Sequence, residues 1–220
     1  MNKILQILHA YGKIKISVFV IWLVTIVGLL GIWLVHESWF LSKTPFTLML
    51  GAGLLYWNFP VKNGWSSLAI WSLVYLIGIG VEIVGVNTGW LFGEYHYGQN
   101  LGPRIFGVPL LIGVNWTILT FLTATICKRY IRQKWLSLLI GALLMVGLDF
   151  LIEPTAPIFD FWYWSEGLAP LRNFVDWFVV SLILQVLIQK ELHGGNNPYP
   201  MHHFATQVVF FAFFYVIYQF

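Results

Sequence analysis

Seven stretches of this chain are apolar on every side with few charges: Ile16–Val35, Pro45–Phe59, Ser66–Val86, Phe106–Cys127, Trp135–Ile152, Phe174–Lys190 and His203–Tyr218. None shows the polar stripe of a helix that faces water on one side. Crossing a hydrocarbon core of ~30 Å takes about 20 residues of helix. The pattern therefore predicts an all-α, polytopic membrane bundle of about seven transmembrane helices, read as one domain over residues 1–220. Pro45–Phe59 is the shortest run. The first run follows Lys3, Lys13 and Lys15 but lacks a small-residue cleavage site, so it reads as a retained anchor.

Composition supports the bilayer. The chain is 59% hydrophobic and 10% charged, with a mean hydropathy of +0.77, against about 25% charged residues in soluble domains. A single cysteine, Cys127, excludes an intramolecular disulfide framework. The sequence pI of 9.0 reflects orientation, not nucleic-acid binding. With the N-terminus in the cytoplasm, Lys3, Lys13, Lys15, Lys62, Lys128, Arg129, Arg132, Lys134 and Lys190 fall inside, and only Lys43, Arg104 and Arg172 outside. That is the positive-inside bias. The same topology puts Glu82, Asp149 and Asp176 in the outer halves of their helices and Glu153 at the outer face.

Those acids change the picture, because an ionisable group at membrane depth is a candidate functional site. Asp149 and Glu153 are spaced i, i+4 and share a helix face, and Pro154 ends that helix. Two carboxyls so close in an apolar setting resist joint ionisation, so at least one is expected to hold its proton and serve as a donor. A structural pair bonded to Asn, Tyr or Trp groups is the alternative. Trp116, Trp162, Trp164 and Trp177 accompany the acids. Desolvated indole faces attract cations by up to ~2 kcal/mol, so acids with indoles suit chemistry through a carbocation. Each tryptophan alone reads equally as a core or interfacial residue. His96 is the one histidine near the acids. The six histidines are too scattered for a di-iron histidine box, no G-x-G-x-x-G follows a strand, and the last helix has no lysine for a retinal Schiff base. No metal or cofactor is expected.

Two segments carry the acids' surroundings. The first holds Gly85, Thr88, Gly89, Phe92, Gly93, Tyr95 and Tyr97, then Leu101-Gly102-Pro103 and Gly107-Val108-Pro109, then Trp116. The second holds Asp149, Glu153-Pro154, Trp162, Trp164 and Asn173-Phe174 with Trp177. Together, over about residues 82–177, they resemble the CruF-type carotenoid 1,2-hydratases, a carotenoid biosynthesis family that includes bisanhydrobacterioruberin hydratases. Glu153 stands where that family more often has Asp. Asp176 stands where it usually has a small residue, so no role for Asp176 is inherited.

The resemblance implies addition of water across the terminal C1=C2 bond of an acyclic (ψ) carotenoid end, without a cofactor, in a bacterial cytoplasmic membrane. The substrate, lycopene- or γ-carotene-like, would come from the bilayer. Asp149, Glu153 and Glu82 are the expected catalytic groups. Tyr95, Tyr97, His96, Asn115, Trp116, Trp162, Trp164, Asn173, Asp176 and Trp177 are the expected substrate-binding ones. A lycopene cyclase-like enzyme and a non-enzymatic carotenoid-binding membrane protein are the alternatives.

Overall fold

The computed structural model describes residues 3–59, 65–189, 191–192 and 197–219. Lys62, Lys190 and His193, used above for orientation or exclusion, lie outside them. The apolar runs fold as helices: α1 (Lys3–Leu34), a short α2 (Glu37–Leu41), α3 (Thr44–Asn58), α4 (Trp65–Thr88), α5 (Leu110–Tyr130), α6 (Lys134–Ile152), α7 (Leu171–Ile188) and α8 (Tyr199–Gln219). Six of these, α1 and α4 to α8, are long and apolar enough to cross a membrane. The seventh expected span is α3. At 15 residues, from Thr44 after the Lys43 N-cap to Asn58, it reaches only ~22 Å at 1.5 Å per residue.

The central element is α5. Two thirds of its span (67%) is buried, against 17–44% for the other five long helices, and it packs on α3, α4, α6, α7 and α8. Its sequence suits that place: Gly113, Thr120, Thr123 and Ala124 are small and buried, and small residues let helix backbones approach in lipid. Gln185 of α7 donates to the Thr123 hydroxyl at 2.7 Å, tying α7 to the centre. Lys128 and Arg129 close α5 in its last turn, where cations complement the helix dipole.

Exposed aromatics mark both ends of the bundle. Trp65 (86% exposed), Tyr130 and Trp135 lie at the end carrying Lys128, Arg129, Arg132 and Lys134; Trp39 and Trp90 lie at the other. Such belts sit at headgroup depth.

The helices alternate in direction, so the two long connections, after α4 and after α6, emerge on the same face. They are not loose loops. Strand β1 (Tyr95–Tyr97) of the first pairs with β4 (Trp162–Trp164) of the second, antiparallel, with Tyr95 opposite Trp164 and Tyr97 opposite Trp162. Asp160 extends the join by accepting from the Gln99 amide and the Tyr163 hydroxyl. Between them, β2 (Arg104–Ile105) and β3 (Val108–Pro109) form a hairpin. Its turn residues, Phe106 and Gly107, both have positive φ (49° and 82°), as a type I′ hairpin turn requires.

Candidate active site

The β1–β4 ribbon covers the end of the bundle where α4, α5, α6 and α7 meet. Side chains alternate across a strand. Tyr95 and Tyr97 are therefore buried and turned to the helices, while His96 is exposed and stacks on Tyr163 of the paired strand, with ring centres 5.3 Å apart. On the inner side the ribbon meets two carboxyl centres.

Glu82 of α4 is the first. It is 3% exposed. Its Oε2 accepts from the Tyr95 hydroxyl at 2.5 Å and the Tyr97 hydroxyl at 2.7 Å, and its Oε1 from Trp116 Nε1 at 2.9 Å. All three groups donate, so Glu82 is held as an acceptor. Burial first, and the Glu82 charge second, push both phenols well above the usual tyrosine range. They remain protonated donors at any ordinary pH. Two glycines of α4 make the arrangement possible. A Cβ on Gly78 would lie 2.6 Å from Trp116 Cβ, and one on Gly85 would lie 2.9 Å from the Tyr95 hydroxyl oxygen.

Asp149 and Glu153 form the second centre, at the end of α6. Helix α6 ends at Ile152 and Glu153 caps it before Pro154, so the i, i+4 pair spans the last turn. Asn173, near the start of α7, joins them: its Nδ2 donates to Asp149 Oδ2 at 2.9 Å and to Glu153 Oε1 at 3.3 Å. The ribbon supplies the rest. Trp164 Nε1 donates to Glu153 Oε2 at 2.6 Å and Trp162 Nε1 to the same oxygen at 3.3 Å. Burial pushes the Glu153 carboxyl up to about 7, against the opposing pull of the two indole donors. No described residue donates to Asp149 Oδ1.

Both centres line one cavity of about 30 Å³. A water needs about 10–15 Å³ on this measure, so the space as it stands suits one or two waters. Asn115, Trp116, Trp177 and Asn173 line it too, together with Phe92, Ile112 and Ile152. Those last three escaped the sequence reading. Phe92 sits inside the first motif, but Ile112 and Ile152 carried no signal that set them apart from other apolar residues.

Eleven of the thirteen expected site residues thus converge on one cavity. The other two lie beside it. His96 faces outward, as the strand alternation dictates. Asp176 accepts the Phe92 backbone N–H at 2.8 Å and pairs with Arg172 at 3.5 Å, fixing the positive-φ Phe92 (67°) over the site. The tryptophans also differ from expectation in how they meet the acids. Trp116, Trp162 and Trp164 present indole N–H groups to carboxylates, and Trp116 and Trp177 spend a ring face on each other, stacked with centres 3.8 Å apart. Among the described residues, no group of three His, Cys, Asp or Glu is arranged to hold a metal ion.

Comparison with known proteins agrees with this picture. Residues 43–220, from just before α3 to the end, match the family described as carotenoid biosynthesis protein. A curated relative, the bisanhydrobacterioruberin hydratase of the archaeon Haloarcula japonica, is 28% identical over 154 residues, covering 64% of this chain and 50% of the relative. The chain thus spans about half the length of that protein. No solved structure matches. The family match takes in both carboxyl centres and both strands of the ribbon, and it covers well over half of the chain, which is therefore a member of the carotenoid biosynthesis protein family.

Proposed function

We propose that this protein is a carotenoid hydratase that adds water across the C1=C2 bond of an acyclic end group. The observation that carries the reading is a water-sized cavity walled by a carboxyl pair, a third carboxylate and indoles. The hydratase name of the Haloarcula relative points the same way.

The hydrogen bonds divide the labour. Three N–H groups converge on Glu153 and one on Asp149. N–H donors favour a carboxylate over a carboxylic acid, so a proton shared by the pair rests on Asp149. Asp149 delivers it to C2, the less substituted alkene carbon. The two π electrons form the new C–H bond, leaving a tertiary cation at C1. Glu82 and the indoles stabilise that cation in a site of low dielectric. Water held in the cavity attacks C1 and gives a proton to Glu153. Transfer from Glu153 to Asp149 within the pair restores the starting state. One water is consumed and no electrons are exchanged, so the reaction as written draws on the chain's own side chains and water. Glu82, saturated by three donors, acts here as a fixed negative charge and as the anchor of the ribbon.

The site lies toward the outer face of a bacterial cytoplasmic membrane in this reading, with lycopene or a γ-carotene-like pigment entering from lipid. Expression in lycopene-producing cells tests it. Wild type is expected to raise pigment mass by one water per end group. Asp149→Asn, at equal protein level, is expected to lose about 10²-fold or more of the rate, the scale of general acid catalysis. An isomer of unchanged mass would instead identify a cyclase, and bound but unaltered pigment a carrier.

A further inference from the structure

A second cavity adjoins the first. It measures about 170 Å³ and lies among α1, α3, α5 and α8. Ile112, Asn115, Ile152 and Trp162 line both cavities and form the partition between them. Ile21 and Ile32 of α1 both line the second one. At 1.5 Å per residue they lie ~16 Å apart, so this space is a long slot running along the helices.

Its wall is mostly apolar, with His203 and Gln207 of α8 as polar exceptions. Four threonines line it: Thr25, Thr44, Thr47 and Thr206. Each hydroxyl donates to a backbone carbonyl three or four residues earlier, at 2.7, 2.7, 3.2 and 2.7 Å. A hydroxyl so bonded has spent its donor. The partition is different. The Asn115 side chain, half-buried, makes no hydrogen bond to any described residue, although it stands between an apolar slot and a cavity full of acceptors.

From this we infer that the slot seats the linear isoprenoid chain of the substrate with its end group against the partition. Asn115 and Trp162 form the doorway where C1=C2 meets Asp149 while water stays on the carboxyl side. The inference rests on the hydratase reading and adds a division of space to it. A rigid extended polyene fits a straight slot, and a 30 Å³ cavity cannot take it. One wall of the slot is α1, which lies outside the family match beginning at residue 43. What fits the enzyme is therefore set partly by a segment the family match does not include.

Gly28 gives the test. It lines the slot on α1, and the nearest side-chain atom to a Cβ placed there is Phe210 Cε2 at 4.0 Å. Gly28→Phe thus has backbone room and puts its ring in the slot. Gly53→Phe is the control, since a Cβ at Gly53 meets nothing within 4 Å. Each full-length protein is purified in detergent from lycopene-producing cells, and retained lycopene and its hydration are read by mass. Gly28→Phe is expected to retain about tenfold less pigment or lower still. Gly53→Phe should match wild type, and Asp149→Asn should retain lycopene without hydrating it. If Gly28→Phe melts and elutes like wild type yet retains and hydrates lycopene normally, the slot assignment is overturned and the hydratase reading stands. If wild type retains pigment that Gly28→Phe loses, but adds no water, the slot stands and the hydratase reading falls. A wild type that retains neither lycopene nor its hydrated product overturns the slot. Should Gly28→Phe not fold, Val24→Trp on the same wall is judged by the same criteria.

Discussion

Asn173 divides one amide between two carboxyls, and this sets the character of the pair. Its two hydrogens reach Asp149 and Glu153, while the indoles of Trp162 and Trp164 add two more donors to Glu153 alone. The pair is asymmetric although its members are one helical turn apart. That asymmetry makes a pH prediction. Glu153 accepts a proton from water only when ionised, and burial places its titration at about 7. The hydration rate is expected to rise as pH increases through about 7, and Glu153→Gln should abolish that limb along with most activity. Trp164→Phe removes the 2.6 Å donor. Losing a bond to the charged form raises the pKa, so the limb should move to higher pH by about one unit, the worth of one such hydrogen bond. A pH–rate profile of Trp164→Phe that keeps the wild-type limb would remove Glu153 from the base role. At this scale the sequence was informative about the acids, whose cost in an apolar run gave them away. It offered Asn, Tyr or Trp groups as their partners only by type, because no spacing rule links Trp164 to Glu153 across the reversal at Pro154.

At the scale of elements, the ribbon is what turns scattered residues into a site. Tyr95-His96-Tyr97 and Trp162-Tyr163-Trp164 have the period-2 alternation of strands, but three residues are too few to distinguish a strand from an interfacial belt. Their partners are also far apart in the chain: Tyr95 pairs with Trp164 and Tyr97 with Trp162. This is why His96 and Asp176 read as site residues. Both are near the acids in sequence, and only the pairing turns one outward and commits the other to Phe92. The helices were plain by contrast, since long apolar runs leave few alternatives, and only α3 fell short of an expected span. The ribbon's seat on α4 can be tested through Gly85. A valine there forces its Cβ against Tyr95 and Phe92, and overpacking of this kind costs about 1–3 kcal/mol. Gly85→Val should lower both the melting temperature and the hydration rate, as Tyr95 leaves Glu82. Gly80→Val, where a Cβ meets nothing within 4 Å, should change neither. Equal behaviour of the two variants would detach the ribbon from catalysis.

For the whole molecule, chemistry and containment occupy different parts of the chain. Residues 82–177 hold the carboxyls and their donors, while α1, α3 and α8 enclose the apolar slot beside them. Both long connections share one face, and the described basic residues divide between the two ends: Lys13, Lys15, Lys128, Arg129, Arg132 and Lys134 opposite the ribbon, and Lys43, Arg104 and Arg172 on its side. Basic loops stay in the cytoplasm, so the ribbon face should be the outer one and the N-terminus cytoplasmic. Cysteine labelling decides this directly, because the one native cysteine, Cys127, is buried at 2% exposure and gives little background. Leu168, 80% exposed in the connection after α6, and Trp135, 78% exposed at the basic end, are the reporter positions. In intact cells a membrane-impermeant maleimide should label Leu168→Cys and leave Trp135→Cys unmarked until the membrane is opened. The reverse pattern would put the carboxyl pair on the cytoplasmic side. In that case the ribbon would have to be reached from the cytoplasmic leaflet, and the loop charges would owe their distribution to something other than orientation.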